Sequence, residues 1–264
     1  MSMYEVSTHA YTNDPSHYKQ LDLYIPHAGS SHSPLLVFVH GGAWRSEDKA
    51  DHRALAEAFV ARGYPVAVTN YRLSLCEVEG QPPTVQHPAH IQDTLEAIEF
   101  LAHHPPKKNA YDPSKLYLIG HSAGGHIVTS LLLDSTYASK AHAYVRGVVG
   151  ADGIYDLPLL LKTYPNYDFV AQAFGSDPSL YADASPVTQS PIPSLMPPPP
   201  MLIVHSLEDD LLDVEQANAM VHHLQNIGAN VKLDTSVKGK HYDMLYTNEF
   251  YDLVIRFVKD NNGV

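Results

Sequence analysis

The sequence predicts an α/β fold with a mainly parallel central sheet and helices on both of its faces. Two observations lead to this prediction. Short runs of apolar, partly β-branched residues alternate along the chain with segments of helical periodicity, which is the pattern of a parallel sheet buried on both faces. The length of 264 residues suits a single α/β domain with a large core. We therefore expect residues 1–264 to form one domain.

The predicted sheet begins with an antiparallel pair at its edge, because residues 4–11 and 18–25 alternate polar and apolar side chains. The later strands are more uniformly apolar, as expected for strands that are covered on both faces. They are predicted at residues 35–39, 65–69, 115–119, 144–149, 201–204 and 231–235.

Apolar residues at three- and four-residue spacing predict helices between these strands and at the end of the chain. Besides a helix that directly follows Ser122, helices are expected at residues 48–62, 91–101, 214–227 and 250–258. Asp213, with Gln216 three residues later, has the spacing of an N-cap at the start of helix 214–227. Asp93 is expected to be a solvated helix residue.

Residues 156–200 break this alternation. The segment is rich in proline, contains aromatic residues without a clear period, and ends in four consecutive prolines at residues 197–200. We predict a short, irregular, cap-like insertion within the single domain, which is either a cap over a site or a surface excursion. Long irregular loops in compact domains frequently carry function.

The composition limits the classes of partner. Lys and Arg number 17 and Asp and Glu number 29, so the formal net charge is −12, which argues against binding to nucleic-acid phosphates. The longest apolar run, Leu35–Val39, is far shorter than the ~20 residues of a membrane span, and the N-terminus has no secretory pattern. With Cys76 as the single cysteine, a reducing, cytoplasmic location is expected. The sequence does not indicate an oligomeric state, and a small-molecule substrate is the expected partner.

The segment Gly120-His121-Ser122-Ala123-Gly124 matches the pattern G-x-S-x-G between a predicted strand and a predicted helix. In this context the pattern is typical of a nucleophile elbow, a sharp turn that exposes the serine hydroxyl at the N-terminus of a helix. We therefore predict Ser122 as a catalytic nucleophile. The alternative is an ordinary glycine-flanked helix start.

A second motif, His40-Gly41-Gly42-Ala43-Trp44, directly follows another predicted strand. It has the H-G-G-x pattern of an oxyanion hole, in which glycines let backbone N–H groups face a substrate oxygen. The predicted donors are the N–H groups of Gly42, Ala43 and Ala123. A tight strand-to-helix turn is the alternative, but ligands bind outside the carboxyl ends of strands in open α/β sheets, where both motifs lie.

A catalytic serine needs a histidine base and an acid that orients it, in the chain order serine, acid, histidine. Asp209, just beyond a predicted strand, is the predicted acid, and Asp210 is the alternative. His241 is the predicted base. The other histidines after Asp209 are the adjacent pair His222 and His223, which lie inside a predicted helix.

The 17 histidines raise the question of a metal site. Adjacent pairs such as His103-His104 point to different sides of a helix and cannot share one ion. The sequence also has no H-E-x-x-H motif and no cluster of cysteines. We therefore predict no metal and no other cofactor.

These motifs resemble the α/β-hydrolases of the hormone-sensitive-lipase-like group and, more narrowly, the fungal kynurenine formamidases. The broad resemblance rests on residues 21–26, 40–44, 71–73, 120–124 and 205–216. The narrower one rests on residues 152–157 and 164–168 together with Trp44. The pair His205-Ser206 departs from the His-Gly of general esterases.

The resemblance implies an α/β-hydrolase fold and a serine hydrolase that converts N-formyl-L-kynurenine into L-kynurenine and formate in tryptophan catabolism. The aromatic residues Trp44, Tyr155 and Tyr164 are the predicted substrate-binding residues. Two alternatives stay open. One is a carboxylesterase that uses the same triad on short-chain acyl esters, and the other is a non-catalytic homologue that binds a ligand in the pocket.

Overall fold

A computed structural model describes residues 3–262, which contain an eight-stranded sheet. Its strands are β1 (Tyr4–Ala10), β2 (Gln20–Pro26), β3 (Pro34–Val39), β4 (Val66–Thr69), β5 (Asp112–His121), β6 (Val145–Ala151), β7 (Met201–Val204) and β8 (Val231–Asp234). The strand order across the sheet is β1-β2-β4-β3-β5-β6-β7-β8.

The pairing of the strands confirms the predicted sheet. β1 pairs antiparallel with β2, and β2 pairs antiparallel with β4, while every later pair is parallel. The N-terminal strands therefore lie at the edge of the sheet, with the outer strand β1 partly exposed and β2 buried from Leu21 to Pro26. The apolar strands fill its centre.

Helices cover both faces of the sheet, as predicted. They are α1 (Arg53–Ala61), α2 (Ala89–His103), α3 (Ala123–Leu133), α4 (Ala138–Ala141), α5 (Leu157–Thr163), α6 (Phe169–Phe174), α7 (Glu215–Asn226) and α8 (Asn248–Asn261). Short 3₁₀ turns lie at His17–Lys19, Lys49–His52, Pro178–Leu180, Pro186–Thr188, Pro193–Leu195 and Asp243–Tyr246. Within residues 3–262, no helix is long and apolar enough to cross a bilayer.

Successive residues of the central strands enter two different hydrophobic cores. In β3, Leu35 and Val37 face α2, α3 and α7, whereas Leu36 and Phe38 face α1 and α8. Because side chains alternate between the two faces of a strand, a strand between two helix layers must be apolar at every position. This requirement explains the continuous apolar run of β3.

Residues 156–200, which we call the cap segment, contain α5, α6 and three of the 3₁₀ turns. Apolar residues of α6 join the core on the α3 face of the sheet, so the segment packs on the domain. Side chains from the rest of the chain fasten it: Nε2 of His126 lies 2.8 Å from the carbonyl oxygen of Ala184, and Nε2 of Gln216 donates to that of Asp156 at 3.0 Å.

Two predictions of local structure are wrong. Asp213 is not a side-chain cap, because α7 begins two residues later without one and the Asp213 carboxylate accepts a hydrogen bond from Tyr164 at 2.8 Å. Asp93 is fully buried rather than solvated, where it binds the guanidinium of Arg72 and the ammonium of Lys19. In both cases a distant part of the chain supplies the partner.

Candidate active site

Ser122 lies in a sharp turn between β5 and α3, with φ 53° and ψ −117°. This left-handed conformation is strained for a residue with a side chain. Neighbouring backbone holds it, since Ser122 N–H donates to the carbonyl of Ala151 at 3.0 Å and its own carbonyl accepts from Gly125 at 2.9 Å. The serine side chain reaches a cavity at the carboxyl edge of the sheet.

The glycines around Ser122 are required by the close approach of neighbouring backbone. A Cβ atom at Gly124 would lie 2.1 Å from the carbonyl oxygen of Val39, and one at Gly120 would lie 2.2 Å from the carbonyl oxygen of Gly124. Both separations are far inside van der Waals contact. The G-x-S-x-G spacing therefore lets α3 start directly against β3 and β5.

The loop after β3 presents free backbone donors. Gly42, Ala43 and Trp44 all have positive φ, at 77°, 52° and 57°. Within residues 3–262, the N–H groups of Gly42 and Ala43 have no hydrogen-bond partner, and neither does that of Ala123 at the start of α3. The hydroxyl of Tyr71 stabilises the loop by donating a hydrogen bond to the carbonyl of Gly41 at 2.7 Å. The three predicted oxyanion-hole donors are thus unpaired.

Asp209 and His241 meet in a buried hydrogen bond, with His241 Nδ1 2.8 Å from Asp209 Oδ2. The N–H groups of Leu211 and Leu212 donate to the other carboxylate oxygen at 2.7 and 3.0 Å. Burial alone raises the pKa of Asp209, but the hydrogen bond and charge of His241 outweigh it and hold that pKa below its usual value. Asp209 is therefore ionised beside the imidazole.

The alternative acid, Asp210, has a different position. Its carboxylate lies 3.2 Å from the ammonium of Lys240 on the surface and accepts a long hydrogen bond of 3.4 Å from the backbone N–H of His241. It does not contact the His241 ring. Of the two candidates, the structure brings only Asp209 to the histidine side chain.

A second carboxyl group, which the sequence reasoning did not single out as a site residue, lies beside Asp209. Asp152 follows β6 with a positive φ of 41° and is fully buried. Its Oδ1 accepts from Ser206 N–H at 2.8 Å and lies 3.3 Å from Nδ1 of His205. Burial and then the nearby charge of Asp209 raise the pKa of Asp152 well above its ordinary value. The charge of Asp209 therefore disfavours ionisation of the buried Asp152 carboxyl group beside it.

Some side chains at this edge could ligate a cation. Among the described residues, the potential ligand atoms of His121, Asp152 and His241 lie within 4.8 Å of one another, as do those of Asp152, His205 and Asp209. The first set contains the predicted base and the second the predicted acid. A metal in either set would therefore occupy a ring nitrogen of the predicted base or the carboxylate of the predicted acid. The absence of a metal in catalysis stays a prediction.

The cavity next to Ser122 has a volume of about 260 Å³. Ser122 and His241 both line it, together with residues of the loop after β3, the cap segment and the loop after β7. The other lining residues are Gly42, Ala43, Arg45, Ser46, Ile154, Tyr167, Phe169, Leu211, Leu212 and Tyr242.

The predicted substrate-binding residues require correction. Trp44 and Tyr155 are fully buried and do not line the cavity. Trp44 instead packs edge-on against His126 and Phe174, with ring centroids 5.3 and 4.9 Å apart, because it fills the space between α3 and the cap segment. Tyr155 is likewise a core residue of the same cluster.

Tyr164 does not itself line the cavity. Its ring stacks on that of Tyr167 at a centroid distance of 4.7 Å, and Tyr167 is the residue that lines the cavity. Sequence reasoning missed Tyr167, Phe169 and Arg45 as lining residues. The segment 164–168 that carried the narrower family resemblance contains Tyr167, which was the only signal that could have pointed to it.

Comparison with known proteins gives a consistent result. The BD-FAE family matches residues 21–224. A kynurenine formamidase-like hydrolase of Fusarium equiseti is 30% identical over 239 residues, which cover 80% of this chain and 78% of that protein. A kynurenine formamidase of Meyerozyma guilliermondii is 34% identical over 200 residues, which cover 72% of this chain and 71% of that protein.

Solved structures show the same fold. A truncated carbohydrate esterase from gut microbiota superposes with a TM-score of 0.82 at 20% identity, covering 99% of this chain and 98% of that one. Esterase B of Lactobacillus rhamnosis has a TM-score of 0.81 at 18% identity, covering 100% of this chain and 89% of that one. The central sheet with its two helix layers is therefore that of an α/β-hydrolase.

Proposed function

Since the chain belongs to the BD-FAE family of α/β-hydrolases, we propose that it is a serine hydrolase with Ser122 as nucleophile, His241 as base and Asp209 as the orienting acid. The observation that carries the proposal is the buried 2.8 Å hydrogen bond between Asp209 and His241, with His241 and Ser122 on the same cavity. A protein that only binds a ligand would need neither a buried hydrogen bond between a carboxylate and an imidazole nor a strained serine at that place.

The reaction follows from this arrangement. Ser122 Oγ attacks the carbonyl carbon while Nε2 of His241 takes the hydroxyl proton, and Asp209 stabilises the imidazolium. The N–H groups of Gly42, Ala43 and Ala123, which have no competing partner within the described chain, donate hydrogen bonds to the carbonyl oxygen and stabilise the negative charge that develops on it. His241 then gives the proton to the leaving group. A water molecule, deprotonated in turn by His241, releases the acid and restores Ser122.

We propose N-formyl-L-kynurenine as the substrate, with L-kynurenine and formate as products. The curated relatives named kynurenine formamidase support this substrate. The cavity supports it as well, because Tyr167, Phe169 and Tyr242 offer aromatic surface for an aryl amine. The acyl group of such a substrate is only a formyl group.

A carboxylesterase of short-chain esters is the second candidate. It would use the same nucleophile and the same oxyanion-hole donors, and the solved neighbours named esterases favour it. An amide is a harder substrate than an activated ester, so an enzyme that prefers the amide must bind the rest of the substrate more tightly in the transition state. The two candidate functions therefore predict different ratios of kcat/KM for the formyl amide to kcat/KM for a simple ester.

The test is to measure kcat/KM of the purified protein for N-formyl-L-kynurenine and for p-nitrophenyl acetate and butyrate. We expect the formyl amide to exceed any of the esters by at least about tenfold, which requires ~1.4 kcal/mol of additional transition-state binding. A Ser122→Ala preparation serves as the blank for contaminating hydrolases. Hydrolysis of the esters with an inert formyl amide would select the carboxylesterase.

A further inference from the structure

Arg45 is the only lysine or arginine that lines the cavity beside Ser122 within the described residues. It lies in the loop after β3, and its backbone N–H donates to the carbonyl of Gly42 at 3.0 Å. The turn that carries the predicted oxyanion-hole donors therefore also fixes the backbone from which this side chain extends. A group bound by Arg45 and a carbonyl bound by Gly42 would be held by one short segment of chain.

The guanidinium of Arg45 has unused hydrogen-bonding capacity. Its Nη1 donates to Asp168 Oδ1 at 3.0 Å and to Gln172 Oε1 at 2.9 Å. Neither its Nε nor its Nη2 has a partner anywhere in residues 3–262. These two atoms lie along one edge of the planar guanidinium, and their N–H groups can donate to both oxygens of a carboxylate at once. The carbon centre of the guanidinium lies 5.7 Å from the ring centroid of Phe169, beside the aromatic wall of the cavity.

The ion pair with Asp168 does not satisfy this cation. The Asp168 side chain is 79% exposed, whereas that of Arg45 is 35% exposed, so water screens the pair and it contributes little. No carboxylate lines the cavity among the described residues. The cation therefore faces a cavity that contains hydrogen-bond donors and aromatic surface but no anion of its own.

We propose that Arg45 binds the carboxylate of the substrate's leaving group, so that the site selects formyl amides of aromatic amines that also carry an anionic group. This inference rests on the proposed function and assigns the amino-acid end of the substrate to a residue. The aromatic residues hold the aryl ring, and the free Nε–H and Nη2–H groups of Arg45 donate hydrogen bonds to the carboxylate. The role is one of specificity and not of bond breaking.

The experiment compares N-formyl-L-kynurenine with its α-carboxamide, which keeps the formyl amide, ring and ammonium group but has no carboxylate. The quantity measured is the ratio of kcat/KM for the acid to that for the carboxamide. We expect wild-type protein to prefer the acid by about 10- to 100-fold, the range of a charge-assisted bidentate contact. Arg45→Gln should bring the ratio close to one, mainly through KM for the acid. Arg45→Lys should give an intermediate ratio, because it keeps the charge without the planar fork.

Two further variants separate binding from a structural role. If Arg45 only fastened the cap segment through Asp168, then Asp168→Asn would lower the ratio as Arg45→Gln does; we expect it to keep or increase the ratio. Arg53→Gln, an exposed arginine of α1, is the matched control and should behave as wild type.

The inference is overturned if wild-type protein shows no preference for the acid, if Arg45→Gln keeps the preference, or if both substrates lose activity equally in Arg45→Gln. In each of these cases the wild-type protein still hydrolyses the formyl amide, so the proposed function stands. If wild-type protein hydrolyses neither formyl amide while it turns over esters, the proposed substrate fails and the role of Arg45 fails with it. That result is recognised from the wild-type rates alone.

Discussion

The carboxyl edge of the sheet and the cap segment form two walls of one cavity, but different interactions hold them. The edge is built on parallel backbone ladders that join β3, β5, β6 and β7. The cap segment has no strand and is held largely by side chains, such as His126 on the carbonyl of Ala184 and His223 on the carbonyl of Gln189. The edge therefore depends on the fold as a whole, and the cap on a few particular residues.

This difference has a kinetic consequence. The predicted nucleophile, base and acid lie on the edge, where small displacements cost much of the rate. Tyr167 and Phe169 come from the cap segment and line the cavity, where in the proposed function they contact the aryl part of the substrate and not its reacting atoms. Substitutions at the edge should therefore lower kcat, and substitutions in the cap should mainly raise KM.

The largest expected effect is that of Ser122→Ala. Because the triad acts as a unit, removal of the nucleophile should lower kcat by roughly a million-fold, with the circular dichroism spectrum and thermal unfolding unchanged. Ser190→Ala, an exposed serine of the cap segment, is the matched control and should retain full activity. If Ser122→Ala keeps more than about one per cent of the wild-type rate, a value far above that expectation, the nucleophile lies elsewhere.

The next largest effect is a difference in kcat between substitutions of two adjacent aspartates, Asp209 and Asp210. Asp209→Asn should lower kcat by roughly ten-thousand-fold, because only the carboxylate on the His241 ring fixes its tautomer. Asp210→Asn removes a surface ion pair with Lys240 and should change kcat less than about threefold. Equal losses in steady-state kinetics, or a larger loss at Asp210, would reassign the acid.

In the cap segment, Tyr167→Ala should raise KM for N-formyl-L-kynurenine about tenfold with kcat nearly constant, since it removes aromatic surface from the cavity. Tyr164→Phe is the informative counterpart. It removes the hydrogen bond to Asp213 behind the wall and should change KM less than Tyr167→Ala does. A large fall in kcat for Tyr167→Ala would mean that the cap contributes to the chemistry, and the division between the two walls would fail.

The junction of the cap with the core should be sensitive to acid. His126 is fully buried between Trp44 and the cap, and burial, followed by the neighbouring His87, lowers its pKa to about 3. The unfolded chain protonates this histidine near pH 6.5, so its contribution to stability is complete above pH 6.5 and is lost as the pH falls toward 3.

Between pH 7 and 5 we expect His126 alone to lower the free energy of unfolding by about 1–2 kcal/mol. Urea unfolding at both pH values measures this change. His126→Gln can still donate to Ala184 but does not titrate, so it should show a smaller loss, whereas the exposed His27→Gln should lose as much as wild type. An equal loss in His126→Gln would place the acid sensitivity in another group.

The sequence was sufficient wherever a residue's place follows from its own strand or turn. The parallel sheet and its edge pair were predicted because burial on both faces imposes an apolar pattern. The observed strand bounds differ from the predicted ones by a few residues. For example, β5 runs from 112 to 121, whereas the prediction was 115 to 119. Ser122, Asp209 and His241 could be selected because each follows a strand end, and such ends lie together at one edge of a parallel sheet.

The residues whose surroundings were predicted wrongly or missed have a common cause. Trp44 and Asp93 are placed by partners that lie far away in the sequence, and Arg45 reaches its ion-pair partner across 123 positions. No local pattern encodes such contacts. Asp213 shows this most clearly, because its capping spacing with Gln216 is present, yet both side chains bind the cap segment and the loop before it. In this case tertiary contacts outweighed the local capping preference of Asp213.

The smallest expected effect is that of metal chelation, which tests the chemistry of the edge wall. The candidate ligand sets at this edge contain His241 or Asp209, and those two groups already share a buried hydrogen bond of 2.8 Å. An ion bound there would occupy either the Asp209 carboxylate or a ring nitrogen of His241 and so disable the proposed triad. We therefore expect EDTA and a zinc-selective chelator to leave kcat/KM unchanged, and added Zn²⁺ to inhibit. The reverse pattern, loss of activity on chelation and recovery on addition of one divalent ion, would make the carboxyl edge a metal centre and overturn the triad mechanism while leaving the cap's part in substrate binding intact.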